Sequence, residues 1–218
     1  MLFMFRRGAV FTLALLWGAI AEARLWQFDI TGNDGAPLPN AVMLLPGMVG
    51  DPSNTSRVMD QVNRQFLPQV LVIRRGEQVS FPNSDNIRHH VYSFSDAKTF
   101  EIKLYSGVPG APITFDQTGV VVLGCNIHDG MVGYIVVADT VYTGVADAGG
   151  HLSVEGPATL DRVRVWHPAM AAGAQPPLEL ALPSPASDGT YAITLPVHVV
   201  SKPERKVTFG ERFQSDAR

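Results

Sequence analysis

A single cysteine, Cys125, ends one apolar run and opens a short loop that leads into another. Residues 120–123 read Val-Val-Val-Leu, His128 and Met131 follow the cysteine at three and six residues, and Val132–Ala138 is again mostly apolar. Short apolar runs with such boundaries are typical of buried β-strands. The pattern predicts two strands joined by a loop that is fixed at both ends, so three ligand-type side chains are held close together.

The chemistry of this loop narrows the choice of metal. Cys125, His128 and Met131 offer a thiolate, an imidazole and a thioether, and a second imidazole is available upstream in the pair His89-His90. A cysteine and two histidines with a weak, distant methionine form the ligand set of blue-copper electron-transfer sites. We therefore predict one copper ion at His89, Cys125, His128 and Met131. Zinc fits less well, because methionine is not among its usual protein ligands.

Two neighbouring histidines compete for the fourth position. Successive side chains of a strand point to opposite faces, so only one of His89 and His90 enters the site easily. His89 shares its parity with Ile87 and Val91, which are apolar and expected to point inward. We expect His89 to be the ligand, and His90 to lie behind the ligands or in solvent while remaining the alternative ligand.

Strand-like runs separated by turn signals recur along the chain, and no long stretch has a helical period. This pattern predicts an all-β protein built as a sandwich or barrel. Residues 51–57 are polar and are expected to form a loop. Residues 143–150 contain three glycines and are expected to form a hairpin turn.

The amino-terminal residues 1–23 are typical of an export signal. Arg6 and Arg7 precede an apolar stretch, 8–21, and Ala21-Glu22-Ala23 fits a cleavage site. The apolar stretch is shorter than the roughly 20 residues of a membrane span. We expect an exported, periplasmic protein with no stable membrane span after cleavage. A free thiol in an oxidising compartment has to be buried or ligated, which agrees with a metal site at Cys125.

Charge excludes one class of partner. The chain has 17 Lys and Arg against 20 Asp and Glu, for a net charge of −3. No basic patch is present that would hold a phosphate backbone, so nucleic acid is not expected as a partner.

Two segments resemble the cupredoxins, the family of plastocyanin, pseudoazurin and amicyanin. Residues 79–91 resemble their first-histidine strand, with Asn83 six residues before the histidine, and Cys125, His128 and Met131 resemble their ligand loop at the short spacing of amicyanin. The resemblance covers about residues 61–138. It implies a Greek-key β-sandwich, a mononuclear copper site and transient redox partners such as a cytochrome or an oxidoreductase.

Some residues depart from that pattern. Arg88-His89-His90 stands where those cupredoxins usually have Pro-His-Asn, so we expect His90 to alter the surroundings of the ligands or to compete for the metal. Asn83 is expected beside the ligands as well. Asp129 places a charge inside the ligand loop and is expected to depress the reduction potential. The fuller string resembles periplasmic proteins labelled methylamine utilization proteins.

A later region resembles a different fold. Residues 147–154 and 163–166 are similar to a carboxypeptidase regulatory-like, transthyretin-like sandwich, and residues 34–42 resemble the opening of the same fold. The fold expected is a cupredoxin sandwich followed by a second small β-sandwich. The expected division is a signal peptide at 1–23, amino-terminal strands at 24–57, a copper domain at 58–139, a small sandwich at 140–210 and a tail at 211–218. The strands of 24–57 belong either to the copper domain or to the second sandwich.

Two functions fit these observations. The first is a periplasmic mononuclear copper protein that carries single electrons between redox partners. The alternative is a copper-binding module for storage, delivery or sensing, which His90 and Asp129 favour. We do not expect an enzyme, because the sequence offers neither ligands for an open or second metal site nor a nucleophile motif.

Overall fold

The computed structural model describes residues 23–50, 55–170 and 173–198. In these residues the regular structure is β, which confirms the all-β prediction. The strands are β1 Arg24–Thr31, β2 Val42–Leu44, β3 Ser56–Val58, β4 Asp60–Val62, β5 Gln65–Leu67, β6 Val70–Arg74, β7 Gln78–Ser80, β8 His89–Ser95, β9 Lys98–Tyr105, β10 Ile113–Thr114, β11 Gly119–Gly124, β12 Val132–Ala138, β13 Thr143–Val145, β14 His151–Gly156, β15 Arg162–Trp166, β16 Leu178–Ala181 and β17 Tyr191–Thr194. A search of the same residues finds no helix of the length and apolarity that crossing a membrane requires. The predicted tail, and the predicted signal except for Ala23, lie outside the described residues.

Strands β3 to β12 form one unit, which we call the inserted unit. A five-stranded sheet in the order β6-β12-β11-β8-β9 faces a three-stranded sheet in the order β10-β7-β3. Strand β11 shows why the chain folds this way, because Val121 and Leu123 are fully buried while Val122 between them is only partly buried. The side chains between the sheets form one apolar core, which includes Phe81, Val91 and Ile135 and reaches Cys125.

Two local predictions in this unit differ from the structure. A hairpin that we did not predict joins β4 to β5 through Asn63 and Arg64, whose φ angles of 53° and 59° suit a tight two-residue turn. The sequence signal was weak because arginine replaces the usual glycine. The loop predicted for 51–57 is wrong from Ser56 onward, where β3 begins and pairs parallel to β7.

The remaining strands form a second unit, which we call the outer unit. Its sheets have the orders β14-β1-β17 and β13-β2-β15-β16 and enclose a separate apolar core. Strand β1 pairs with β14 and β17, and β2 pairs with β13 and β15. The early strands therefore pair with the carboxyl-terminal ones, and the inserted unit lies between β2 and β13 in the chain. The hairpin turn predicted for 143–150 is wrong over its first residues, because β13 occupies 143–145.

The two units share a third apolar cluster. Val42 and Leu44 of β2 and Trp166 of β15 pack with residues of β6 and β12, and the rings of Trp166 and Tyr134 lie 5.3 Å apart. Arg164 also forms an ion pair with Asp139 at the end of β12. The outer unit thus covers the β6–β12 half of the five-stranded sheet. On the other half, Phe94 of β8 is 79% exposed.

Candidate metal centre

Three of the predicted ligands meet at one end of the inserted unit. The Nδ1 atoms of His89 and His128 lie 3.2 Å apart, and Cys125 Sγ lies 3.8 Å from His89 Nδ1 and 3.7 Å from His128 Nδ1. The centre of this triangle is about 2.1 Å from each atom, within the range of about 2.0–2.3 Å for transition-metal bonds to imidazole nitrogen and thiolate sulfur. The three atoms therefore form a cradle of the size that one such ion needs.

The cradle is shielded from water on most sides. His89 is fully buried, Cys125 is 7% exposed and His128 is half-buried. Tyr105, the Cα partner of His89 on β9, belongs to the same packing. Burial raises the pKa of Tyr105 to about 12; the hydrogen bond with Gln61 opposes this, and the charges of Asp60 and Cys125 add to it. That phenol consequently stays neutral at physiological pH.

The ligand loop is short and tightly turned. Cys125 directly follows β11, and the Met131 backbone N–H donates to the His128 carbonyl at 3.2 Å, which closes the turn. Gly130 takes a φ of 81°, in the left-handed region that favours glycine. Met131 is 3% exposed, belongs to the same core cluster as Cys125 and directly precedes β12. The structure thus places Met131 in the interior of the inserted unit.

The other ring nitrogen of His89 contacts a carboxylate that we did not predict. Its Nε2 lies 2.7 Å from Asp85 Oδ2, and Asp85 also accepts hydrogen bonds from the backbone N–H groups of Asn63 and Arg64 at 2.6 and 2.9 Å. Burial acts to raise the pKa of Asp85, but the contacts with Arg64, His89 and Asn63 together lower it. The only sequence signal was an acidic residue four positions before the ligand.

Asn83 organises the segment that carries His89. Its Nδ2 donates to the carbonyls of Ile87 and Tyr105 at 2.9 and 3.0 Å, and its Oδ1 accepts from the Asp85 backbone N–H at 3.0 Å. Asn83 therefore acts on the backbone around the site, because both its Nδ2 and its Oδ1 are engaged with backbone groups.

His90 lies outside the cluster of His89, Cys125 and His128. Its Nε2 is 2.9 Å from Glu101 Oε1, and its buried Nδ1 has no hydrogen-bond partner among the described residues. The pairing of β8 with β9 shifts register between His89 and Val91, so that Lys103 and Leu104 of β9 together oppose His90 in a bulge. We predicted that Ile87 and Val91 point inward with His89. Val91 is buried as predicted, but the prediction was wrong for Ile87, which is 39% exposed because β8 begins only at His89.

Asp129 is exposed on the ligand loop. Solvent and salt screen an exposed charge strongly, so its influence on a buried ion is weaker than the sequence alone implied.

No protein-family model matches the chain, and no curated protein matches it. Among solved structures, it is similar to a copper-containing nitrite reductase from Thermus scotoductus SA-01, at 26% identity over 40% of this chain and 23% of that one, with a TM-score of 0.37. A purple cupredoxin from Nitrosopumilus maritimus matches at 22% identity over 38% of this chain and 98% of its own, with a TM-score of 0.33. The P52G variant of amicyanin in its reduced Cu(I) form matches at 17% identity over 44% and 98%, with a TM-score of 0.36. Each match covers less than half of this chain, and this chain spans under a quarter of the nitrite reductase.

Proposed function

We propose that this chain binds one copper ion at His89, Cys125, His128 and Met131 and carries single electrons between redox partner proteins. The observation that carries the proposal is the triangle of two Nδ1 atoms and one Sγ atom, with sides of 3.2, 3.7 and 3.8 Å. The set joins a soft thiolate, which suits Cu(I), to imidazoles, which suit either oxidation state. Copper, when bound, supplies a one-electron couple.

The chain's own residues supply the frame for that couple. The ligand loop is fixed between β11 and β12, and His89 is fixed by its place at the start of β8 and by Asp85. A frame held by strands and hydrogen bonds resists change when the charge of the ion changes. Burial of His89, Cys125 and Met131 limits the access of water to the ion.

The half-buried His128 is the proposed route for the electron. Next to it Ile127 is 47% exposed, and Ile87, close to His89 in sequence, is 39% exposed. Exposed apolar side chains that lie close to the ligands in sequence suit a small, short-lived contact with a redox protein. We therefore propose a carrier rather than an enzyme, with transient protein partners such as a cytochrome or an oxidoreductase.

We also propose that the protein is exported to the periplasm. The burial of the one thiol in a metal cradle supports this, since an unprotected thiol is a liability in an oxidising compartment. The likeness of the sequence to proteins labelled methylamine utilization proteins, and of the outer unit to a carboxypeptidase regulatory-like sandwich, stays a prediction.

Copper storage, delivery or sensing is the competing function. Two features of the sequence favoured it, and neither gains support from the site: His90 lies outside the cluster, and Asp129 is exposed. The two functions differ in whether the bound ion cycles reversibly between oxidation states.

The deciding experiment is a titration of the purified protein with Cu(II), followed by its visible spectrum and by voltammetry, with Cys125→Ser as the control. We expect an intense thiolate-to-copper band that saturates at one equivalent and a reversible one-electron wave, both lost in Cys125→Ser. A saturating band without a reversible wave would favour the storage or delivery function. Absence of the band in a folded protein, or its survival in Cys125→Ser, would refute the copper centre.

A further inference from the structure

We propose that Asp85 is a positioning residue for the metal centre: it fixes the tautomer and orientation of His89 and makes this histidine a stronger ligand for Cu(II) than for Cu(I). The proposal rests on the copper site proposed above. It assigns a role to a residue that makes no contact with the ion itself.

The geometry of His89 carries the first step. Its Nδ1 faces Cys125 Sγ and His128 Nδ1, while its Nε2 lies 2.7 Å from Asp85 Oδ2. A neutral imidazole has one nitrogen that donates and one that accepts. Since the nitrogen that faces the cradle must offer a lone pair to an ion, the proton has to lie on Nε2 and be donated to Asp85. His89 is fully buried, so water does not compete for this proton.

The second step is that Asp85 cannot easily turn away. The N–H groups of Asn63 and Arg64, both in the turn between β4 and β5, donate to its two carboxylate oxygens. Its own backbone N–H donates to Asn83 Oδ1 at 3.0 Å. The hairpin therefore presents a fixed carboxylate to His89, and the hairpin is anchored by Phe66, which is buried in the core of the inserted unit.

The third step compares the two histidines. His128 has its Nδ1 in the triangle and no carboxylate contact among the described residues, so only His89 has an anionic partner. A carboxylate that accepts from a ligating imidazole raises the basicity of that ligand. A more basic ligand stabilises the more highly charged ion, so Asp85 favours Cu(II) and lowers the reduction potential.

The test compares Asp85→Asn with a matched control, Asp60→Asn. Asp60 lies near the same loop and its carboxylate accepts from Gln61 N, Ser84 N and Ser84 Oγ, but it contacts no histidine. The measurements are Cu(I) and Cu(II) affinities by chelator competition, the reduction potential, and the thermal unfolding of the apo protein.

For Asp85→Asn we expect Cu(II) affinity to fall by about 10- to 100-fold, as is usual when a partner of a metal-bound histidine is lost. We expect Cu(I) affinity to fall less, and each tenfold difference between the two raises the potential by about 59 mV. Asp60→Asn should leave the ratio of the two affinities unchanged. Equal losses for Cu(I) and Cu(II), or the same change of ratio in Asp60→Asn, would show that Asp85 is merely structural and overturn the proposal.

A second measurement needs no variant. In the Cu(I) wild-type protein, ¹⁵N NMR should show a slowly exchanging proton on His89 Nε2 and none on Nδ1. A rapidly exchanging or absent Nε2 proton would overturn the proposal even if Asp85→Asn failed to fold. Failure of the copper site itself would be visible earlier, as a wild-type protein without a thiolate-to-copper band.

Discussion

The ring of Tyr92 packs directly against Gly124, the residue immediately before Cys125 in the chain. The two residues are Cα partners between β8 and β11, and a Cβ placed on Gly124 would lie 2.7 Å from both Cζ and Oη of Tyr92. A residue without a side chain is therefore needed at this position. The requirement explains why the apolar run 120–123 stops one residue before the thiol.

The first prediction follows from this contact. Gly124→Ala should lower the free energy of unfolding by about 1–3 kcal/mol, the usual cost of overpacking, and should shift the thiolate-to-copper band because Cys125 moves with its neighbour. Combining it with Tyr92→Leu should recover much of the loss, since the ring is what the new methyl group meets. Urea unfolding of the wild type, the two single variants and the double variant measures the recovery. Strictly additive losses of stability would contradict a direct contact.

The second prediction separates the paired histidines. His89→Asn should abolish the saturable copper band, because it removes one corner of the triangle. His90→Asn should keep the band, because that ring instead contacts Glu101 and lies tilted against the ring of Tyr92, with the ring centres 5.5 Å apart. Parallel titrations of the two variants measure the difference. If His90→Asn lost the band and His89→Asn kept it, His90 and not His89 would be the ligand.

The third prediction concerns Met131. Met131→Leu should keep the thiolate-to-copper band and raise the reduction potential, because an axial thioether tunes the ion while the cysteine and histidines hold it. The change is nearly volume-conserving and should cost less than about 1.5 kcal/mol of stability. Met59→Leu is the control, since Met59 is fully buried in the same core and is not a predicted ligand. If voltammetry gave both variants the same reduction potential, Met131 would not be a ligand of the ion.

The fourth prediction concerns pH and the contact between the units. The hydrogen bond from Arg164 lowers the pKa of Asp139 below its ordinary 3.8, burial opposes the shift, and the charge of Arg164 adds to it. The folded state therefore keeps Asp139 ionised where the unfolded chain takes up a proton. Its contribution is present above about pH 4 and is lost as the pH falls through the lower, folded-state pKa.

Asp139→Asn should accordingly lower the free energy of unfolding at pH 7 by about 1 kcal/mol or less, since both side chains are partly exposed. The difference in free energy of unfolding between this variant and the wild type should shrink towards zero as the pH is lowered to about 2. Glu179→Gln, which removes one of the two carboxylate partners of the more exposed Arg162, is the control and should have a smaller effect at pH 7. Denaturant curves of the apo proteins across this range test the prediction, and a deficit independent of pH would contradict it.

The features that sequence could predict depend on neighbours along the chain. The strand ending before Cys125 and the loop to Met131 follow from local pattern and ligand chemistry. Asp85 was missed because its role comes from the turn at Asn63 and Arg64, which only the folded chain brings to it. The partners of β1 were left open for the same reason, because strand pairing over long separations leaves little trace in composition or period.

The position of the inserted unit has a consequence for how the chain is made. Trp26 of β1 donates a hydrogen bond to Pro157, 131 positions later, so the amino-terminal strands emerge long before their partners exist. Pairings over such separations are slow to form. The ligand-bearing unit, whose strands are complete by Ala138, can therefore assemble while β1 and β2 are still unpaired. The pairing of Leu44 with Thr143 marks where the chain leaves the outer unit and returns to it, so closing the outer unit is the later step.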